Sequence, residues 1–376
     1  MTSLIDPVAF ASELIRCPSV TPASGEVFDL LESALTPLGF TVHRWVMGEP
    51  PDGPTENMVA LRGDGGPHFG FAGHLDVVPA GEGWNGDPFA GDIVEDILVG
   101  RGANDMKSAI AAYIAALSRL GPSGGTLSLL ITGDEEGYAT WGTPRIIDWL
   151  KERNIRPDMI LIGEPTSVDR LGDTVKIGRR GSVNMWIEVP GVQGHVAYPH
   201  RTTNPVPPLA RVIAALDELH LDDGTEQFPP SNLEFTAVST PTNASNVIPG
   251  NATAQLNIRF NNLQRGPDLV KLVEEIAERE APGAKVTARI SGEAFLTPPG
   301  PLYDVVVAAI EEETGAKPEL STSGGTSDGR FLIQLCPVVD FGLPNATMHK
   351  VGECAAVEDI RALSRIYERI VRKVLA

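Results

Sequence analysis

His74, Asp105, Glu136, Glu164 and His349 are two histidines and three carboxylates in a chain of 376 residues whose 3 cysteines show no CxxC spacing. Imidazole and carboxylate without thiolate is the donor set of a hydrolytic zinc site, in which one carboxylate can bridge two ions. Three carboxylates with two neutral imidazoles carry three negative charges, an arrangement that is costly in a cleft unless cations offset it. Two Zn²⁺ would more than offset them. Asp76 stands two residues beyond His74 and, on an extended chain, on the same side of it. From there it would accept the other imidazole N–H and fix the tautomer of the ring.

Asp134, Glu135 and Glu136 close the apolar stretch "LSLLITGDEEG". Like charges crowded together raise one another's pKa, so something positive is expected beside them. On an extended segment neighbouring side chains point in opposite directions. Glu136 would then face a metal and Glu135 the reacting water, acting as the general base that passes a proton to the leaving amine. Asp134 is left to hold the turn through backbone hydrogen bonds. Asp105 also has a plainer reading, as the N-cap of the helix it opens. His43, His68 and His220 lack such company and are read as structural.

The elements that must position these residues are short apolar runs alternating with helical patterns, the mark of α/β architecture. "HFGFAGH" (68–74), "LSLLITG" (127–133), "MILIGE" (159–164) and "VVDFGL" (338–343) read as buried strands, each running to or close to a histidine or a carboxylate. In sheets of this kind ligands bind beyond the carboxyl ends of the strands. The spacing of Ala109, Ala112, Ala116, Leu117 and Leu120 predicts a helix over 105–120 with one apolar face. The middle of the chain has another order. "SVNMWIEV", a helix over 205–220, "LEFTAVST", "ATAQLNIRF", a helix over 268–280 and "KVTARI" give the β-α-β-β-α-β sequence of a ferredoxin-like unit. The expected division is a catalytic α/β domain in two parts, 1–181 and 293–376, with an inserted α+β domain at 182–292. A helix over 301–315 resumes the parent fold.

Composition narrows the partners. The chain is 42% hydrophobic and 21% charged, as in an ordinary soluble globular protein. A net charge of −19 argues against nucleic acid and against an anionic membrane surface. No apolar run approaches the ~18 residues of a membrane span. Three unpaired-looking cysteines suit a reducing cytoplasm, and Asp6 and Glu13 in an amphipathic N-terminal pattern do not read as a signal peptide.

With these residues placed, nearly the whole chain resembles the superfamily of di-zinc aminoacylases and carboxypeptidases. The superfamily-wide stretches are "FAGHLDVVP", "GRGANDMKS", "ITGDEEG" and "IGEPT". "GRRGS", "GHVAYPH", "SNVIPG", "STSGGTSDGRF" and "NATMHKVGE" resemble the bacterial succinyl-diaminopimelate desuccinylase family within it. That resemblance implies a di-zinc peptidase-like α/β catalytic domain with an inserted ferredoxin-like domain that serves as lid and dimerisation surface. It implies two Zn²⁺ per subunit, the second site also taking Co²⁺. His74, Asp105 and Glu164 would hold one ion, with Asp105 bridging and Glu136 and His349 completing the other. Glu135 would be the base, supported by Asp76, and His195 would stabilise the oxyanion from the partner subunit of a homodimer. Arg179, Tyr198, Asn246, Arg259, Gly325, Thr326 and Asn345 fall where the family contacts substrate. The implied reaction is hydrolysis of N-succinyl-LL-2,6-diaminopimelate to succinate and LL-2,6-diaminopimelate, in lysine and diaminopimelate biosynthesis. Acetylornithine deacetylase or another N-acyl-amino-acid amidohydrolase shares the machinery with a different pocket. A dipeptidase, a carboxypeptidase and an inactive metal-binding homologue stand further off. Leu75, Asn104, Ser108 and Tyr138 depart from the commoner residues of the pattern; none is a proposed ligand, and Asn104 and Tyr138 bear on substrate fit.

Overall fold

Strand His68–His74 pairs in parallel with Thr126–Thr132 on one side and with Met159–Ile162 on the other, and Val338–Asp340 continues the parallel set beyond Met159–Ile162. The register is level at the carboxyl end: His74 faces Thr132, and Ile162 faces both Ala72 and Asp340. In this computed structural model, which describes residues 4–121 and 124–376, these strands are the centre of an eight-stranded mixed sheet. Its spatial order is 41–47, 55–62, 126–132, 68–74, 159–162, 338–340, 174–176 and 319–321. Three of the four expected strands end earlier than the apolar pattern does, at Thr132, Ile162 and Asp340. The chain leaves the sheet there so that the residues that follow can turn over its edge.

Both faces of the central strands are covered, which is why they read as continuous apolar runs. On one face Ala72, Leu130, Ile160, Ile162 and Val338 pack with Ile146, Ile147 and Leu150 of helix Thr143–Glu152. Phe71 lies on the other face, stacked on Tyr113 with ring centroids 4.0 Å apart and met edge-on by Tyr367. Tyr113 belongs to helix Lys107–Ser118, and all of that helix's residues are buried, so the single apolar face expected from sequence is a correction to make. Helices Pro7–Ile15 and Val357–Val374 pack against it, and a helix covered all round must be apolar or small all round. Its alanines fit that need. Its approach to the sheet also depends on two glycines: a Cβ on Gly73 or on Gly163 would lie 2.5 or 2.7 Å from the methyl of Met106, just ahead of the helix.

The chain divides into two compact units, one of Met1–Ile177, Thr297–Ser321 and Ser327–Ala376, the other of Gly178–Leu296 with Thr322–Thr326. The second unit is a four-stranded antiparallel sheet in the spatial order 232–239, 251–260, 181–190, 285–292, carrying helices Val206–Asp217 and Gly266–Glu280. That order, together with the chain order β-α-β-β-α-β, is ferredoxin-like. Alternation is clean along Asn251–Phe260: Ala252, Ala254, Leu256, Ile258 and Phe260 enter the core with Leu209, Val212, Leu269 and Val273. Arg259 and Asn257 therefore lie on the opposite face of the sheet. Among the described residues no helix is long and apolar enough to cross a membrane.

Candidate metal centre

His74 is the last residue of its strand, Glu164 lies two residues past the end of Met159–Ile162, and Glu136 four past the end of Thr126–Thr132. Asp105 precedes helix Lys107–Ser118, and His349 follows Val338–Asp340 on a long loop. The level strand ends bring five residues spread over much of the chain into one cluster. His74, Asp105 and Glu164 form one group of potential ligand atoms, and Asp105, Glu136 and His349 a second, each with all its atoms within 4.8 Å of one another.

Asp105 joins the two groups. Its Oδ1 lies 3.1 Å from His74 Nε2, and its Oδ2 lies 3.2 Å from His349 Nε2. Glu136 Oε1 is 2.9 Å from the same nitrogen of His349, and Glu164 Oε1 is 3.7 Å from His74 Nε2. One oxygen towards each group is what a bridging carboxylate requires. Asp105 does not cap its helix, since Met106 occupies the N-cap position and no side chain caps there.

Asp76 works differently from its expected role. His74 Nδ1 lies 2.9 Å from the backbone carbonyl of Asp76, whereas the Asp76 carboxylate is 3.7 Å away. The backbone oxygen thus accepts the Nδ1–H and leaves Nε2, on the Asp105 side, as the nitrogen that would bind an ion in place of a proton. The Asp76 carboxylate instead accepts the amides of Glu135, at 3.2 Å, and Glu136, at 3.0 Å. Those two residues lie in a bend rather than on an extended strand, a second correction. Asp134 makes the bend, as expected of it: its two carboxylate oxygens accept from Ala139 N at 3.1 Å and Trp141 N at 3.0 Å. Glu135 and Glu136 diverge because the chain turns between Asp76 and Asp134, not because of strand alternation.

The electrostatics follow from crowding. Burial, and then the Asp328 carboxylate, push Glu135 up to about 8. Burial likewise raises Glu136 and Asp328, and lifts Asp134 to about 6. Hydrogen bonds to Asp105 and Glu136 carry His349 up to about 10. Burial works against charge on both His74 and Asp105, yet the contact with Asp105 raises the imidazole, and hydrogen bonds from His349 and then His74 hold the Asp105 carboxylate well below its usual range. With the imidazoles protonated, positive charge sits where the carboxylates converge, the position a divalent cation would take. Two nitrogens and three carboxylates in two groups sharing Asp105 are therefore a donor set that fits a pair of hard or borderline ions.

Sequence reasoning passed over four charged residues here. Asp328 accepts from Thr143 Oγ1 at 2.6 Å, and Arg330 Nη1 lies 3.9 Å from Glu135 Oε1. Both belong to "GGTSDGR", whose glycines drew attention away from its charges. Arg101 and Glu353 form a buried ion pair; the one available signal was that each is a charge within a stretch, "GRGANDMKS" or "NATMHKVGE", that also carries a candidate ligand. Asn104 is buried and donates through Nδ2 to Pro344 O at 2.6 Å, next to Asn345, whereas Tyr138 is exposed.

The remaining expected site residues, apart from Asn345, lie in the second unit. There His195 pairs with Val247 in a short antiparallel ladder, Asn246 O accepts from Val196 N, and the Tyr198 ring lies 5.7 Å from that of His195. Arg179 is buried and donates to Gly325 O at 3.0 Å, which places Gly325 and Thr326 beside it. Arg259 pairs in register with Ser182 and Asn232. The unit thus forms a His195–Tyr198–Asn246 group and a set of arginines around residues 179, 180 and 259.

Residues 70–373 match the model of peptidase family M20/M25/M40. The chain belongs to this family. A succinyl-diaminopimelate desuccinylase of Rhizorhabdus wittichii is 60% identical over 373 residues, 99% of each chain. One from Zymomonas mobilis is 59% identical over 375 residues, covering 100% of both. Among solved structures, the M20 family metallo-carboxypeptidase Sso-CP2 from Sulfolobus solfataricus superposes with a TM-score of 0.80 at 16% identity, over 98% of this chain and 99% of that one. The M20 fold is thus kept where sequence has diverged widely.

Proposed function

We propose that this chain, a hydrolase of the M20 family, cleaves N-succinyl-LL-2,6-diaminopimelate to succinate and LL-2,6-diaminopimelate, using two divalent ions in the cluster around Asp105. The observation that carries the reaction class is Asp105 with one oxygen turned to each histidine, and Glu135 within electrostatic reach of His74. The substrate rests on full-length similarity to desuccinylases. Zn²⁺ suits these nitrogen and oxygen donors, and Co²⁺ shares the preference in the second group. Bound there, such ions polarise a carbonyl and acidify water.

The chain's own residues do the rest. Asp76 fixes the orientation of Glu135 and Glu136 through their amides, and Glu135 takes the proton of the attacking water and delivers it to the departing amine. His195 has its Nδ1 engaged as acceptor by Ala197 N at 3.0 Å, so the neutral ring carries its proton on Nε2. That N–H is free to donate to the oxyanion of the tetrahedral intermediate. The test is release of succinate from N-succinyl-LL-diaminopimelate by zinc-loaded protein. After desalting, such protein is expected to retain more than one equivalent of zinc by elemental analysis. A plateau at one equivalent with full activity would remove the two-ion reading.

The chain works as a cytoplasmic homodimer built through the ferredoxin-like unit, with His195 supplied to the site of the other copy. The edge strand Asn232–Ser239 supports this, since Val238 is exposed along it and an open apolar edge invites pairing. Mixing Glu135→Gln with His195→Ala protein is expected to restore activity, because one site of each mixed dimer then escapes both lesions. No recovery after verified subunit exchange would mean that each chain uses its own histidine.

A further inference from the structure

Arg101 and Glu353 are buried to 2% and 1% side-chain exposure, with Nη1 2.6 Å from Oε2. A buried pair of this kind contributes little to stability in general. What distinguishes it is where its remaining hydrogen bonds go. Glu353 Oε1 accepts the amides of Asn104, at 2.8 Å, and Asp105, at 3.0 Å. Arg101 Nη1 reaches the carbonyl of Lys350 at 3.3 Å, while Nη2 reaches Ala80 O at 3.1 Å and His349 O at 3.5 Å. The Trp84 ring lies 5.4 Å from the guanidinium carbon.

His349 is itself in the left-handed region, at φ 61, which residues other than glycine occupy only when their surroundings impose it. Arg101 holds the two successive carbonyls at that point. We propose that the Arg101–Glu353 pair is a positioning device that sets the distance between Asp105 and His349, and through it the affinity for the ion held by Asp105, Glu136 and His349. The proposal rests on the two-ion reading above. Both ends of the pair grip this second group, while the group of His74, Asp105 and Glu164 is gripped only through the Asp105 amide, so loosening the pair acts unequally on the two.

The test is zinc affinity of each site by competition with a chromophoric chelator, on the full-length protein, alongside the melting temperature of the metal-free form. Glu136→Gln identifies which affinity belongs to the second group. Arg101→Lys keeps a cation against Glu353 but loses the planar fork that spans the carbonyls. It is expected to weaken the second ion by roughly 10–100-fold, the range of partners that orient ligands, with the first within about threefold. Glu353→Gln, which also leaves Arg101 without its counter-charge, is expected to weaken both ions, the second by more. Unchanged affinities in both variants, or equal losses at both sites that follow the melting temperature, overturn the proposal and make the pair a structural contact. Wild-type protein that takes up fewer than two ions overturns the two-ion reading itself.

Discussion

Glu135→Gln is expected to keep its metal and lose kcat by roughly 10²–10⁴-fold, the value of a general base. Glutamine retains the shape of the side chain and the backbone contact to Asp76, but it cannot accept the proton. The surroundings match the role, since the side chain is 12% exposed and burial with the neighbouring Asp328 favours its protonated form. A carboxylate that binds protons readily yet sits beside a cation site can both take a proton and give it up. Glu136→Gln is the contrasting variant. Its side chain belongs to the second ligand group, so metal affinity should fall first and activity only as a consequence. Metal content measured beside kcat separates the neighbours; survival of Glu135→Gln activity within a few-fold would move the base to another residue.

The second large effect concerns the acyl group. N-succinyl-LL-diaminopimelate is expected to exceed N-acetylornithine in kcat/KM by at least roughly 10²-fold, because succinyl carries a carboxylate that acetyl lacks and a site built around arginine penalises its absence. The whole chain, at −19, repels such an anion, so local cations must reverse the field. Burial and the Arg180 cation push the Arg259 guanidinium below its usual range, so negative charge brought beside it is favoured. An incoming carboxylate would supply it with charge-assisted hydrogen bonds. Arg259→Ala, or Arg179→Ala, should lower kcat/KM for the succinyl substrate while metal content stays constant. Comparable rates on the two substrates would instead favour the acetylornithine deacetylase reading.

The metal cluster was legible because apolar runs announce buried strands and four of them run into histidine or acid. Other features depend on what lies far away in the chain. The burial of helix Lys107–Ser118 on every side needs helices Pro7–Ile15 and Val357–Val374, and no local period reveals them. Arg101 and Glu353 meet across 252 residues. The bend at Glu135 and Glu136 rests on the carboxylates of Asp76 and Asp134 taking backbone amides, and pattern reading assigns such a segment to a strand. The partner of His74 Nδ1 turned on whether a carbonyl at 2.9 Å or a carboxylate at 3.7 Å was nearer, a choice that residue spacing leaves open.

Strand Val338–Asp340 sits inside the eight-stranded sheet, between Met159–Ile162 and Thr174–Lys176, although nearly the whole chain precedes it. A ribosome making this protein therefore releases four of the five candidate ligands before the filling strand exists. His349 follows Glu164 by 185 positions, about 10–40 s of synthesis at ~5–20 residues per second. During that interval the emerging chain carries a slot in its sheet and a carboxylate cluster lacking His349. The four-stranded antiparallel sheet of the second unit has all its strands by residue 292. An ion held by Asp105, Glu136 and His349 would thus have to wait for the C-terminal part of the chain.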